Sequence, residues 1–344
     1  MSREKVGRRE FIKKATALTA TATAAMSFEE HALLAFQGQG RRGQPPPVPD
    51  IPGPMPTGDL GGVKMSRLIA GHNIVGGTAH SRDLIYVSRL VQAYFTDDKI
   101  LDTYQMYEEN GINTAFLRVE ARQLELARRY NTERGGKLQW MAQLVINEKD
   151  QERDLNLAME VPGVKAAYIR GLEGDRYFKS GQFDVLASAL EKMKAQKLVA
   201  GLGSHLLDTL IAAERQGLDA DFYFKTFNSA QYWSAGQALT PDPNWKPTGQ
   251  ELVQSEYAPG NHDNLWETTP KQTTEFFAKI KRPFVAYKVL AAGAIHPRDG
   301  FDYAFKNGAD FVSVGMYDFQ IRENVNTTKQ LFAGTIDRTR PWCA

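Results

Sequence analysis

His205, Glu120, Lys225, Lys288 and Arg170 each stand at or just past the end of a short apolar run, where a side chain can act on a small molecule rather than fill a core. Histidine and glutamate can be tuned to exchange protons near neutral pH, so His205 and Glu120 suit the roles of general acid and base. Lys225, Lys288 or Arg170 would then stabilise an enediolate-like anion. This combination implies isomerase, epimerase or lyase chemistry on a carbohydrate-like or hydroxy-carbonyl compound. A second arrangement makes His72, His80, His205 and Glu120 the ligands of a divalent metal that polarises the carbonyl, although His72 and His80 match no recognised ligand spacing. In a third, Lys225 or Lys288 forms a Schiff base; Lys288 has Ala286, Tyr287, Val289 and Leu290 around it, and apolar neighbours lower a lysine pKa. Taken singly, each lysine reads more plainly as a salt-bridged structural residue, and each histidine as a hydrogen-bonded one. Only convergence on one rim raises the set above that reading.

Whether they converge depends on the elements that carry them. Apolar runs at residues 66–71, 114–117, 140–146, 166–169, 198–203, 222–227, 284–290 and 311–314 are short enough for strands buried on both faces. Helical patterns lie between them. Thr96 caps residues 97–109, with two aspartates in the first turn and Gly111 as the stop. Residues 183–195 carry Val185, Leu186, Ala189, Leu190 and Met193 on one stripe, Thr269-Pro270 opens another helix, and residues 319–331 close the series. Strands that alternate with helices predict a closed parallel (β/α)8 TIM barrel over residues 59–335, followed by a tail at 336–344. A doubly wound open sheet is the alternative, and no GxGxxG follows the first strand to support it. Two stretches, 74–95 and 229–268, exceed what the barrel needs and leave strand C-terminal ends, so they are expected to wall a pocket. The second holds Tyr232, Trp233, Trp245, Tyr257, His262 and Trp266.

The N-terminal end reads as an address. Arg8-Arg9, Phe11-Ile12-Lys13 and a weakly apolar Ala/Thr/Leu run over 15–26 have the build of a twin-arginine signal peptide, assigned to residues 1–35. Residues 36–58 contain seven prolines between Pro45 and Pro56 and are expected to form an extended linker. The expected partner is therefore the twin-arginine export machinery, and the destination is the periplasm or the exterior. The signal run is too short and too polar for a stable transmembrane span. Among 344 residues, 42 basic and 40 acidic side chains leave a net charge of +2, which implies no nucleic-acid partner. The single cysteine, Cys343, excludes a disulfide within the chain and a cysteine-built metal site. The expected partner at the site is a small-molecule substrate.

A family resemblance runs through these elements in order. PTGDLGGVKMSRLIAG at 56–71 resembles the opening of aldo/keto reductases, in which a β-hairpin closes the barrel floor before strand one. EENGINTAF at 108–116, LGSH at 202–205, FKTFN at 224–228, RPFVAYKVLAAGAI at 282–295 and GMYDFQIRENV at 315–325 resemble later family segments, so the likeness spans 56–331. The resemblance implies an NADP-dependent oxidoreductase-like barrel, with Gln320, Glu323 and Asn324 at the adenosine end of the nucleotide. It also exposes a departure. The family aspartate falls on Phe116, the tyrosine on Ala121, the lysine near Gln143 and the histidine on Arg170 or Gly171, while the residue that usually faces the 2′-phosphate is Tyr317. Acid/base chemistry without hydride transfer is therefore the leading expectation, with a divalent metal favoured over NAD(P). An NAD(P)-dependent oxidoreductase whose proton donor is Tyr232 or His205, and a non-catalytic small-molecule-binding barrel, are the alternatives.

Overall fold

Gly61 and Gly62, at φ of +59° and +85°, turn the chain back on itself between β1 (Thr57–Leu60) and β2 (Val63–Ser66). Two successive positive φ values suit a tight hairpin whose twist matches its strands, and glycine adopts them without a Cβ clash. Leu60 and Met65 point from the hairpin into the cluster of Ile69, Met141, Val199, Phe222 and Phe311. The hairpin thus closes the barrel floor, as expected. The computed structural model describes residues 49–78, 86–232 and 267–344. The expected signal segment, the linker as far as residue 48, and His80, Trp233, Trp245, Tyr257, His262 and Trp266 lie outside the described residues.

Eight parallel strands form a closed barrel: β3 (Leu68–Ala70), β4 (Thr114–Arg118), β5 (Gln139–Leu144), β6 (Val164–Ile169), β7 (Val199–Ser204), β8 (Phe222–Thr226), β9 (Phe284–Tyr287) and β10 (Phe311–Val314). Each pairs with the next in sequence, and β10 pairs with β3 to close the ring. The open-sheet alternative falls on that pairing. Around the barrel run α1 (Tyr86–Tyr94), α2 (Asp97–Glu109), α3 (Ala121–Glu133), α4 (Arg153–Met159), α5 (Gly171–Lys179), α6 (Phe183–Ala195), α7 (Leu207–Gln216), α8 (Pro270–Phe277), α9 (Pro297–Lys306) and α10 (Asp318–Ala333). Helix α2 forms where its signals place it: Thr96 Oγ1 accepts from the Lys99 N–H at 3.3 Å, and Gly111 at φ +84° releases the chain toward β4. Helix α6 buries the expected stripe. Helix α1 lies inside the first long stretch, and α5 intervenes between β6 and α6; neither was predicted. None of the described helices is long and apolar enough to cross a membrane.

The tail is part of the barrel floor. Asp310, just before β10, accepts from the Phe284 N–H at 3.0 Å, the Cys343 N–H at 2.8 Å and the Arg340 guanidinium. Arg338 approaches the same carboxylate at 3.6 Å, and Arg67 and Arg338 both pack on Trp342. Burial pushes Arg67 and Arg338 down to about 10, despite the carboxylate that supports their charge. Removing Asp310 would strand cations that have little access to water. Asp310→Ala is therefore expected to cost about 3–5 kcal/mol in a urea titration, the range for breaking a buried ion pair from one side. A loss below about 1 kcal/mol would show that the tail does not depend on this carboxylate.

Candidate functional site

Four aromatic rings cap the barrel interior beneath its C-terminal mouth. Phe224 of β8 stacks on Tyr287 of β9 at 4.3 Å and 7°, and meets Tyr168 of β6 at 4.4 Å and Phe116 of β4 at 4.9 Å. Side chains alternate across a strand, so inward rings at these positions carry the residues two further on into the mouth. Arg118 therefore lies above Phe116 and Arg170 above Tyr168. Gln143, paired in register with both Arg118 and Tyr168, donates from Nε2 to the Tyr168 hydroxyl at 2.7 Å.

His205 follows β7 and is held by α5. Its Nδ1 lies 2.9 Å from Asp175 Oδ2, and Asp175 also accepts from the His205 N–H at 2.9 Å, the Leu206 N–H at 3.3 Å and Thr209 Oγ1 at 2.7 Å. A carboxylate can only accept, so the proton resides on Nδ1 and the lone pair on Nε2. Burial pushes the His205 pKa below the usual histidine value; Asp175 opposes the shift, and Lys288 and Lys225 add to it. That direction favours the neutral imidazole. The Tyr287 ring lies 5.6 Å from the His205 ring, and its hydroxyl donates to the Ser204 carbonyl at 3.2 Å. Burial raises Tyr287 well above the usual phenol range. Gly171 sits between the two: a Cβ there would stand 2.8 Å from His205 Cε1 and 2.9 Å from the Tyr287 hydroxyl. Helix α5 can approach this closely only with glycine as its first residue.

The remaining expected residues divide. Glu120 lies at the start of α3 and pairs with Arg118 Nε at 2.8 Å, with its side chain 52% exposed. Arg170 makes a two-point pair with Glu173 of α5 at 2.6 and 2.7 Å. Lys288 ends β9 at φ +55°, within electrostatic reach of His205. Lys225 is not in the mouth. Its neighbour Phe224 points inward, so Lys225 points into the helical shell, where Nζ donates to Glu267 at 2.8 Å and to the Thr226 carbonyl at 2.8 Å. Both side chains of that pair are fully buried. The catalytic expectation for Lys225 is replaced by a structural one. His72 is also buried, with Gly76 packed against its Nε2 edge, and burial beside Arg118 drops its pKa to about 3. Tyr232 packs with Ala291 and Ile295. Asp175, Tyr287, Tyr168, Glu173 and Glu267 were missed.

The nucleotide positions can be tested directly. Gln320 turns back on its own helix, with Oε1 accepting from the Tyr317 N–H at 3.1 Å. Asp318 occupies the first turn of α10, paired with Lys99 and with the Tyr94 hydroxyl. That carboxylate opposes a phosphate monoester at this helix end. Phe319, 69% exposed, stacks on Tyr317 at 5.2 Å and 15°, a flat apolar surface suited to an adenine ring. Glu323 lies on the next turn, whereas Asn324, also expected at the nucleotide, is buried in the packed face of the helix. The residues therefore fit the adenosine of a dinucleotide without a 2′-phosphate better than one with it.

No family model matches the chain, and no curated protein matches it. Solved structures do. A Pseudomonas aeruginosa protein described as an aldo-keto reductase is 15% identical over 80% of this chain and 95% of its own, with a TM-score of 0.51. The holo form of an aldo-keto reductase from Bacillus halodurans is 10% identical, covering 80% and 91%, with a TM-score of 0.52. A Gox0644 variant in complex with NADPH is 9% identical, covering 80% and 88%, with a TM-score of 0.50. At these identities the likeness is one of fold. Two expectations are corrected by it. The isomerase, epimerase or lyase reading gives way, because the similar structures bear the names of oxidoreductases. The preference for a divalent metal over NAD(P) gives way as well, because one neighbour is a complex with NADPH. Geometry agrees on the metal: no group of three or more His, Cys, Asp or Glu suited to a metal occurs among the described residues, and His72 is buried.

The buried pair gives a test of the Lys225 reassignment. Lys225→Met is expected to destabilise the fold by about 3–5 kcal/mol in a denaturant melt, because Glu267 is left charged and dry. Adding Glu267→Leu is expected to recover most of that loss. A Lys225→Met protein of unchanged stability would contradict the reassignment.

Proposed function

We propose that this protein is a nicotinamide-dinucleotide-dependent oxidoreductase that interconverts a hydroxyl compound and its carbonyl, with His205 as the proton-transferring group. The observation that carries the reading is the His205 imidazole, buried at the barrel mouth and oriented by Asp175. The shared fold with named aldo-keto reductases, one of them bound to NADPH, supports the class. The proton donor is rearranged in this reading, because Phe116, Ala121, Gln143 and Arg170 or Gly171 stand where the resemblance expects aspartate, tyrosine, lysine and histidine.

When bound, the nicotinamide ring supplies the hydride donor or acceptor. The chain supplies the rest. Nε2 of His205 accepts the proton of the substrate hydroxyl, and Asp175 stabilises the imidazolium that forms. Tyr287 and Phe224 exclude water from below, which strengthens each charge interaction above them. Phe319 and Tyr317, with Glu323 beyond, would hold the adenosine end. Arg8-Arg9 and the Ala/Thr run support export by the twin-arginine route. That route carries folded protein, so a tightly held dinucleotide would travel with the chain.

Fluorescence titration is expected to show saturable binding of NADH, tighter than NADPH because Asp318 opposes the 2′-phosphate; no saturation with either ends the proposal. The lowered pKa fixes the sign of the pH dependence. A base must be unprotonated, so kcat/KM for oxidation is expected to hold level near pH 7 and fall only as pH drops below the ordinary histidine range. His205→Gln is expected to lower kcat by about 10²–10⁴-fold with dinucleotide affinity unchanged. Equal activity in that variant would remove His205 from the mechanism.

A further inference from the structure

We infer that Arg118 and Arg170 form a built receptor for an oxyanion on the substrate, so that this site acts on an acidic hydroxy or carbonyl compound rather than a neutral one. The inference rests on the oxidoreductase reading for its chemistry, but its geometry is independent. Strand alternation brings both arginines to the inside of the mouth, on β4 and at the end of β6, with Gln143 of β5 between them. Within this arc, the Tyr168 hydroxyl, bonded to Gln143 at 2.7 Å, lies on the strand that carries Arg170.

Each guanidinium is held along its Nε edge. Arg118 uses Nε on Glu120 and Nη1 on Thr78 Oγ1 at 3.4 Å, so its Nη2 has no partner among the described residues. Arg170 uses Nε and Nη2 on Glu173, so its Nη1 has none among them. Arg118 and Arg170 are 30% and 28% exposed, which leaves them reachable from solvent. An arginine whose stem is already fixed loses little conformational freedom when its last N–H groups close on an oxyanion, and its planar fork matches carboxylate and phosphate. Gln143 has donated its N–H to Tyr168, which leaves Oε1 as an acceptor for a substrate hydroxyl in the same arc. Arg170 directly precedes Gly171, the residue against His205 and Tyr287, so the oxyanion would lie close to the reacting carbon. A carboxylate and a phosphate ester share this chemistry.

Calorimetric titration of the whole chain with glucuronate, glucose 6-phosphate and glucose separates the sources, since the three differ mainly at one end. At least one anionic sugar is expected to bind tenfold or more tightly than glucose, and whichever does so identifies the group. Arg118→Gln and Arg170→Gln are each expected to weaken that anion about 10–100-fold, the range for a hydrogen bond to a charged group, while leaving glucose unchanged. Arg118→Lys is expected to retain part of the affinity, since charge survives without the fork. Unaltered melting temperatures keep these losses from being misfolding. No preference for either anion over glucose, including no binding of any of the three, overturns the inference, as does an equal loss for glucose. Because no dinucleotide is needed in this titration, an anion preference without NADH binding would sink the oxidoreductase reading and leave the receptor standing.

Discussion

Pairing of β10 with β3 closes the sheet, and in a closed sheet a strand residue has two destinations, the interior or the helical shell. Neighbours in sequence therefore part company. On β8, Phe224 joins the ring layer under the mouth, while Lys225 enters the shell and is sealed against Glu267. Removing an ammonium and a carboxylate from water costs several kcal/mol per ion, and only close pairing with additional hydrogen bonds offsets it. Both conditions hold: Lys225 also reaches the Thr226 carbonyl, and Glu267 accepts from the Thr269 N–H at 2.8 Å. On β6 the same alternation sends Tyr168 inward and Ile169 outward, and brings Arg170 back over the mouth. The composition of the rim is a consequence of parity.

The ring layer sets the depth of the barrel mouth. Phe116, Tyr168, Phe224 and Tyr287 fill the upper interior, so the open space of the mouth begins at their upper edge, among strand-end side chains. A floor without water lowers the local dielectric, and opposing effects then meet at His205. Burial disfavours its charged form, and Asp175 favours it. Burial outweighs the carboxylate, which favours the neutral imidazole, while Asp175 stays bonded to Nδ1. A more exposed imidazole with the same partner would be protonated over more of the neutral range and less useful as a base.

Much of the barrel was legible because its signals are local. The short apolar runs, the Thr96 cap and the Gly111 stop each report on a few adjacent residues, and the strands and α2 formed where those signals lay. The rim was legible only in part. The expected positions of His205 and Arg170, just past β7 and β6, match the structure because strand ends are visible in sequence. Lys225 was misplaced because a run of apolar neighbours does not reveal parity: FYFKT reads the same whether Phe224 or Lys225 faces inward. Phe222 and Phe224 at alternate positions were the available signal, since two phenylalanines on one face compete for the interior and displace the lysine. Asp175 was missed for another reason. It lies 30 residues from its histidine and meets it only through the fold. The spacing of Gly171 and Asp175, one helical turn apart on one face, would have pointed to it had α5 been recognised. Glu267 follows a long stretch without apolar periodicity, and nothing local ties it to Lys225.

The cations of the rim take their counter-ions from two distances in sequence. Arg118 and Arg170 find Glu120 and Glu173 within the turn that follows their own strands, so each strand end arrives already balanced. Such a unit can be carried on a barrel without disturbing its neighbours, because no uncompensated charge is buried. His205 differs, since its carboxylate comes from the helix after the preceding strand and links β6 to β7 through Asp175. The arginine units can therefore be altered one strand at a time, whereas the imidazole cannot move without α5. Local pairs are thus free to change, while the one long-range pair fixes where the imidazole sits.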